Sequence, residues 1–306
     1  MKVLLATDGS EDARAATAWL EQFPLPPDSA LRVVSAVGVS PSALDMPMGR
    51  QFQQSMHTEG RRVADGARAT LIKRFATADV HVGTDSRGRL RPHFEHVAEH
   101  ADVLLIGGDL TKCGTADEAR VLVDELFAVS IPRYAVLGNH DHHSEEVEKV
   151  VSVLEGGGIH VLEGSHDVVR IGDRTLGVAG VKGFGGGFPG AFASEFGERE
   201  MKAFVRHTKD VAGRLGEALS ALDTEVRVAL LHYAPVEETL RGERLELYPF
   251  LGSYLLGEAV DVAGADLVVH GHAHSGSEHG TTPGGTPVRN VAQPVVGSAY
   301  KVYAVG

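Results

Sequence analysis

With 306 residues, 43% of them apolar and 23% charged, the chain can form two domains or one large α/β domain, and wholesale disorder is excluded. A formal net charge of −12 argues against broad attraction to nucleic acid or anionic lipid, so a small phosphate-bearing substrate would need positive charge supplied locally. The single cysteine, Cys113, excludes an intrachain disulfide framework and suits a reducing cytoplasm. The first apolar run is too short for a signal-peptide core, and no window approaches the roughly eighteen apolar residues of a membrane span, so a soluble cytoplasmic protein is expected.

In chain order, apolar runs alternate with amphipathic stretches, the pattern of a largely parallel sheet. "KVLLAT" (2–7) is a strand, and Ser10 can cap a helix that carries Glu11 and Asp12 in its first turn. A second strand is expected over 31–39, a loop over 40–50, a helix over about 52–76 and a third strand at "DVHVG" (79–83). Phe94, Val97, Ala98 and Ala101 mark one face of the next helix, followed by the apolar strand "VLLIGG" (103–108). Thr115 and Glu118 form a capping-box pair ahead of Ala119, Leu122, Val123, Leu126 and Phe127 at helical spacing. After "YAVLG", Ser144 can cap a helix faced by Val147, Val150, Val151 and Leu154 and stopped at Gly156–Gly158. The Gly-rich "GVKGFGGGFPG" (180–190) reads as a surface loop anchored by Phe184 and Phe188 in preference to a lid whose rings stack on a substrate. "VALLH" (228–232) and "DLVVHGH" (266–272) are buried strands, and the turn "TTPGGTP" (281–287) joins short antiparallel ones.

Four of these apolar runs end in residues that bind metals. "VLLIGGD" ends in Asp109, "AVLGNHD" in Asn139, His140 and Asp141, "VALLH" in His232, and "LVVHGHAH" in His272 and His274. The carboxyl ends of strands in an open α/β sheet share one rim, so residues distant in sequence would meet there. A carboxylate such as Asp109 can bridge two cations, while imidazoles and an amide oxygen complete the shells without accumulating negative charge. Mixed nitrogen and oxygen donors suit Mn, Fe, Zn or a similar divalent ion. Gly108, Gly138 and Gly271 leave the backbone room beside the ligands. Any one of these signals alone is an ordinary turn; the ordered set, each behind a buried strand, is the signal.

Residues 84–306 resemble the calcineurin-like metallophosphoesterase family, through "GGDLTKCG", "LGNHD", "LLHYAPV" and "HGHAHSG" in order. The resemblance implies an αββα sandwich with mixed sheets and hydrolysis of a phosphomonoester or phosphodiester by a metal-activated hydroxide at a dinuclear centre. It assigns Asp109 to bridge the metals, Asn139, His232 and His272 to one shell, and His274 with Asp109 to the other. His140 would stabilise transition-state charge or protonate the leaving group, with Asp141 holding its imidazole. His142, His143 and His270 match no family ligand and read as rim or packing residues. "GNHD" in place of "GNHE", with no "VDRG", points away from the protein Ser/Thr phosphatases; "GDLT" resembles the branch that includes cyclic-nucleotide phosphodiesterases. Residues 237–258 are expected to run over the site, with Arg241 and Arg244 as solvated charges.

Residues 1–83, with "VLLATDGS" and an alanine-rich helix, resemble the universal stress protein family. About half of such an α/β unit is present, an incomplete Rossmann-like segment with Asp8 where that family contacts nucleotide but without its glycine loop. The metallophosphoesterase family's first motif, D-x-H at the end of the first strand, is read as missing: Asp85 is followed by Ser86 and Arg87, His81 lies inside "DVHVG", and that strand is claimed by both units. Asp85 is then the candidate replacement, the second metal site is expected to be weak, and hydrolysis should fall below family norms. The alternative is a catalytically weak or inactive nucleotide-responsive protein acting by binding or dimerisation, with an exposed front-sheet edge favouring a homodimer.

Overall fold

The computed structural model describes Lys2–Thr7, Ala30–Ser35 and residues 73–305, with side chains from Phe75 onward. The chain divides into two compact units, Met1–Lys73 with Gly306, and Arg74–Val305. In the first, β1 (Lys2–Thr7) pairs in parallel with β2 (Ala30–Ser35), residue for residue. The expected helix after Ser10, most of the helix over 52–76, and Asp8 lie outside the described residues.

The second unit is built on two sheets. In the first sheet, β3 (Lys73–Ala78), β4 (Val103–Ile106), β5 (Arg133–Ala135) and β6 (His160–Val161) run parallel. The second contains β7 (Ser165–Ile171), β8 (Arg174–Val181), β11 (Val226–Leu231), β12 (Leu267–His270), β13 (His279–Thr281) and β14 (Pro287–Asn290). Its order is β13-β14-β12-β11-β8-β7; the four inner strands are parallel and both outer strands antiparallel. A two-stranded hairpin, β9 (Gly187–Phe188) with β10 (Ala191–Phe192), lies between β8 and β11 in the chain, and β15 (Lys301–Val305) borders β3.

Strand side chains alternate between faces, and the core follows that alternation. Phe75, Val103, Leu105, Tyr134 and Val136 from the first sheet meet Leu176, Val178, Val228, Leu230 and Val269 from the second, forming the layer between the sheets. The opposite face of the first sheet, with Ala76, Ala78, Leu104, Ile106 and Ala135, is covered by helices. These are the short α1 (Arg91–Phe94) and α2 (Val97–His100), then α3 (Ala116–Glu125) and α4 (Val147–Gly156). The outer face of the second sheet packs on α5 (Arg199–Ser220) and α7 (Tyr254–Ala263), the latter preceded by the single turn α6 (Tyr248–Leu251). In α5, Thr208, Val211, Ala212, Leu215 and Leu219 recur at helical spacing and are buried. A last turn, α8 (Gln293–Val296), precedes β15. The expected four-layer arrangement with mixed sheets is therefore present, and among the described residues no helix is long and apolar enough to cross a membrane.

Several local expectations change. The strand that enters the first sheet is Lys73–Ala78, not "DVHVG": residues 79–81 lie beyond its end, and β3 belongs to the second unit from Arg74 onward. The single helix expected around residues 94–101 is two short turns, with Ala98 exposed. The Thr115–Glu118 capping box is formed as expected, but α3 ends at Glu125, which leaves Phe127 84% exposed. Ser144 does not cap α4; its hydroxyl donates to the Cys113 carbonyl, and the helix starts after Glu146. The Gly-rich segment is not a free lid. Gly186 N–H donates to the Pro249 carbonyl at 2.7 Å and Gly187 N–H to Gly252 at 2.9 Å, while Phe188 is buried as an anchor.

Candidate metal centre

The carboxyl ends of β3, β4, β11 and β12 bring the candidate ligands together. Just past the end of β3 stand Asp79 and His81, a D-x-H pair expected inside the strand "DVHVG". His81 is turned out of the extended path: its φ is 43°, and its N–H donates to the Asp109 carbonyl at 2.9 Å. Asp109 (φ 46°) and His272 (φ 69°) are also left-handed, an uncommon state for non-glycine residues that costs about 1–3 kcal/mol each and concentrates at functional sites.

Three overlapping groups of side chains have donor atoms close enough to share a cation: Asp79, His81 and His274; His81, Asp109 and His140; and Asp109, His232 and His272. Asp109 belongs to two of them, as a bridging ligand requires. Its Oδ1 lies 3.3 Å from His232 Nε2, and its Oδ2 lies 3.1 Å from His81 Nε2. Asn139 Oδ1 is 3.0 Å from His232 Nε2, which joins the amide to the same cluster. On the other side, Asp79 Oδ1 is 3.1 Å from His81 Nδ1, and its Oδ2 is 3.9 Å from His274 Nε2.

The proton positions follow from the partners. A carbonyl oxygen only accepts, so His232 Nδ1 is the N–H that donates to Gly107 at 2.8 Å, leaving a lone pair on Nε2. Burial, only partly opposed by Asp109, pushes the His232 pKa down to about 4 and keeps the ring neutral. In the same way His272 Nε2 donates to the Phe250 carbonyl at 3.3 Å, freeing Nδ1, and burial drives its pKa down to about 3. Such outer hydrogen bonds fix which nitrogen of a histidine faces a metal.

The residues fit cations on two counts. The lone pair of His232 Nε2 faces two further acceptors, Asn139 Oδ1 and Asp109 Oδ1, a convergence of like partial charges that a cation reconciles. On the opposite side, buried Asp79 Oδ1 has no hydrogen-bond partner of acceptable geometry. The field there favours positive charge. Burial works against a charged His81, yet Asp109 and Asp79 together raise its pKa to about 10. Asp109 is held well below the usual carboxylate range: His232, His81 and the His140 N–H outweigh its burial.

All five expected metal ligands, Asp109, Asn139, His232, His272 and His274, stand at this rim. The missing-motif expectation is overturned, because Asp79 and His81 occupy the place where it was sought. The signal was the literal D-x-H at 79–81 behind "FATA", whose small residues read as a helix end. Asp85 is not a substitute: it lies on the surface, paired with Lys112 at 2.8 Å. The weak second site that followed from the gap loses its basis.

Asp141 also departs from its expected role. It does not hold the His140 ring, whose Nδ1 donates to the Lys112 carbonyl at 2.8 Å. Instead the fully buried Asp141 carboxylate accepts from the N–H groups of Leu110, Thr111 and Gly138 and from the Thr111 hydroxyl, at 2.6–3.1 Å. It ties the turn after Asp109 to the turn before Asn139. Burial outweighs these donors and pushes its pKa up to about 6. His270 is a packing residue as expected: buried, with Nε2 2.8 Å from the Thr239 hydroxyl. His142 and His143 are exposed.

Gly138 shows how tightly the turns close. A Cβ there would stand 2.0 Å from Asp109 Oδ1, and one at Gly108 would stand 2.3 Å from His232 Nδ1. Gly138→Ala should therefore displace Asp109 and lower bound Mn²⁺, measured by elemental analysis of the purified protein. Retention of the wild-type metal content would refute this account of the turn.

The model of the calcineurin-like phosphoesterase family matches residues 72–276, a span that includes Asp79 and His81. No curated protein matches the chain. Among solved structures, it is similar to phosphopantetheinyl hydrolase (PptH) from Mycobacterium tuberculosis, with 14% identity over 72% of this chain and 90% of that one and a TM-score of 0.52. It also matches TT1561 of Thermus thermophilus, with 16% identity over 76% and 98% of the two chains and a TM-score of 0.47. At 14% identity the likeness to PptH speaks to the fold alone.

Proposed function

Because the chain belongs to the calcineurin-like phosphoesterase family, we propose that its Arg74–Val305 unit is a metal-dependent hydrolase of phosphate esters. The observation that carries this reading is the pair of donor sets meeting at Asp109. Asp79, His81, Asp109 and His274 would hold one divalent ion; Asp109, Asn139, His232 and His272 would hold the other. Their mixed nitrogen and oxygen donors suit Mn, Fe, Zn or a similar ion. Such ions supply a nucleophile at neutral pH and offset phosphoryl charge as it develops.

The chain's own residues do the rest. His140 is placed by two contacts: its N–H donates to Asp109 Oδ1 at 3.0 Å, and its Nδ1 donates to Lys112. Its Nε2 therefore points to the open side of the cluster, 4.0 Å from Asp109 Oδ2, on a side chain that is 43% exposed and reachable by substrate. A proton held at that Nε2 can be given to the departing oxygen. His272, oriented by Phe250, ties the segment after His232 to the rim, as expected for residues 237–258. The rival reading, a nucleotide-responsive front unit ahead of a vestigial hydrolase, loses the support it drew from an absent D-x-H pair, because Asp79 and His81 stand with the other ligands.

The test uses p-nitrophenyl phosphate and bis-p-nitrophenyl phosphate with Mn²⁺. His140→Ala should keep its metal and lower kcat by about 10²–10⁴-fold, the usual worth of a positioned acid or base. Turnover equal to wild type in that variant, with metal bound, removes His140 from the chemistry. Equal background in both proteins removes the enzyme.

A further inference from the structure

Lys182 was passed over in the sequence, yet it sits on the same rim as the ligands. β8 ends at Val181, whose register partner is Leu231, so Lys182 stands beside His232 one step beyond the sheet. The backbone locks it there. Its carbonyl accepts from both His232 N–H and Tyr233 N–H at 3.0 Å, and its own N–H donates to Glu163 at 3.0 Å.

The side chain ends between two aromatic faces, with the ammonium 5.5 Å from the Phe184 ring centroid and 5.8 Å from that of Tyr233. These rings are fixed. Phe184 packs on Phe204 and on the edge of His207, at 5.0 Å and 4.6 Å, and Tyr233 lies 4.5 Å from the His272 ring. Lys182 is thus one aromatic ring away from a candidate metal ligand. No carboxylate among the described residues forms an ion pair with it. Glu163 is engaged by Arg214 at 3.2 Å and by the Lys182 backbone. Burial pushes the Lys182 pKa down, and the charges of Glu163, then Asp109 and Asp141, oppose that shift, which places the ammonium in the field of the centre. In a chain of net charge −12, a half-buried cation with aromatic walls and no ion-pair partner among the described residues is the local positive charge that an anionic substrate needs.

We propose that Lys182 binds the additional negative charge of a phosphomonoester dianion, and so biases the site toward monoesters over diesters. The inference rests on the phosphoesterase reading and goes beyond it by choosing between the two ester classes. It assigns Lys182 a role in substrate specificity that the ligands, which see both classes alike, do not supply.

The experiment compares wild type with Lys182→Met, Lys182→Gln and Lys182→Arg, all loaded with Mn²⁺. The substrates are p-nitrophenyl phosphate and bis-p-nitrophenyl phosphate, which share a leaving group and differ in charge. The monoester-to-diester ratio of kcat/KM should fall by about tenfold to a hundredfold in the two neutral variants, the worth of one charge-assisted contact. Arg should restore most of it. Calorimetry with inorganic phosphate should show a parallel loss of affinity at unchanged metal content. An unchanged ratio together with unchanged phosphate affinity overturns the proposal, as does a ratio that Arg does not restore. If metal-loaded wild type cleaves neither ester, the phosphoesterase reading fails on its own. The phosphate titration then still decides whether Lys182 is an anion site.

Discussion

Asp109→Ala should abolish hydrolysis of both nitrophenyl esters and leave the protein unable to retain two divalent ions. Among the described residues, Asp109 is the one carboxylate whose two oxygens face different clusters, Oδ1 toward His232 and Oδ2 toward His81. Removing it therefore weakens both sites at once, whereas His81→Ala or His274→Ala touches only one. Metal ions in such centres supply several kcal/mol of transition-state stabilisation, so turnover should drop by at least about 10³–10⁴-fold. Elemental analysis and the esterase assay read the two halves of this expectation separately. A variant that keeps both ions would show that Asp109 is not the shared ligand. One that loses them but still turns over would show that hydrolysis occurs elsewhere.

Asp141→Ala should damage the protein in a different way, by unfolding it more easily. The carboxylate is completely buried and takes three backbone N–H groups and one hydroxyl, from Leu110, Thr111 and Gly138. Alanine leaves those donors without partners, at about 1–3 kcal/mol for each group that water cannot reach. Relief from burying a charge offsets part of this, so a net loss of roughly 3–5 kcal/mol is expected. For a unit of this size the melting temperature should fall by about 10 °C. His140→Ala, which removes a half-exposed ring, should leave it nearly unchanged. Thermal unfolding followed by circular dichroism separates the two. Equal melting temperatures for Asp141→Ala and wild type would contradict the bracing role and return Asp141 to a purely chemical one.

Much of the second unit was legible before folding was considered. "VLLI", "VALL" and "LVV" are continuous apolar runs because their strands are covered on both faces, and a candidate ligand (Asp109, His232 or His272) follows shortly after each. Thr115 and Glu118 satisfy each other's backbone across three residues, so that cap could be read locally. Asp79 and His81 were misread for an equally physical reason. Asp-Val-His-Val alternates like a half-buried strand, and nothing local says that the chain turns at His81. That turn is made by the Asp109 carbonyl and by the bridge from Val82 to Thr111.

The same division holds across the site. Residue types and their order along the chain determine which donors arrive at the rim, because side-chain periodicity and strand length are local properties. Tertiary packing decides which atom of each donor is used. Gly107 and Phe250, far away in sequence, choose the free nitrogens of His232 and His272, and the turn around Gly138 turns Asp141 from a partner of His140 into a brace between loops. Hydrogen bonds are satisfied by whatever the fold brings within about 3 Å, and that proximity is a property of the folded chain, not of any short stretch of it.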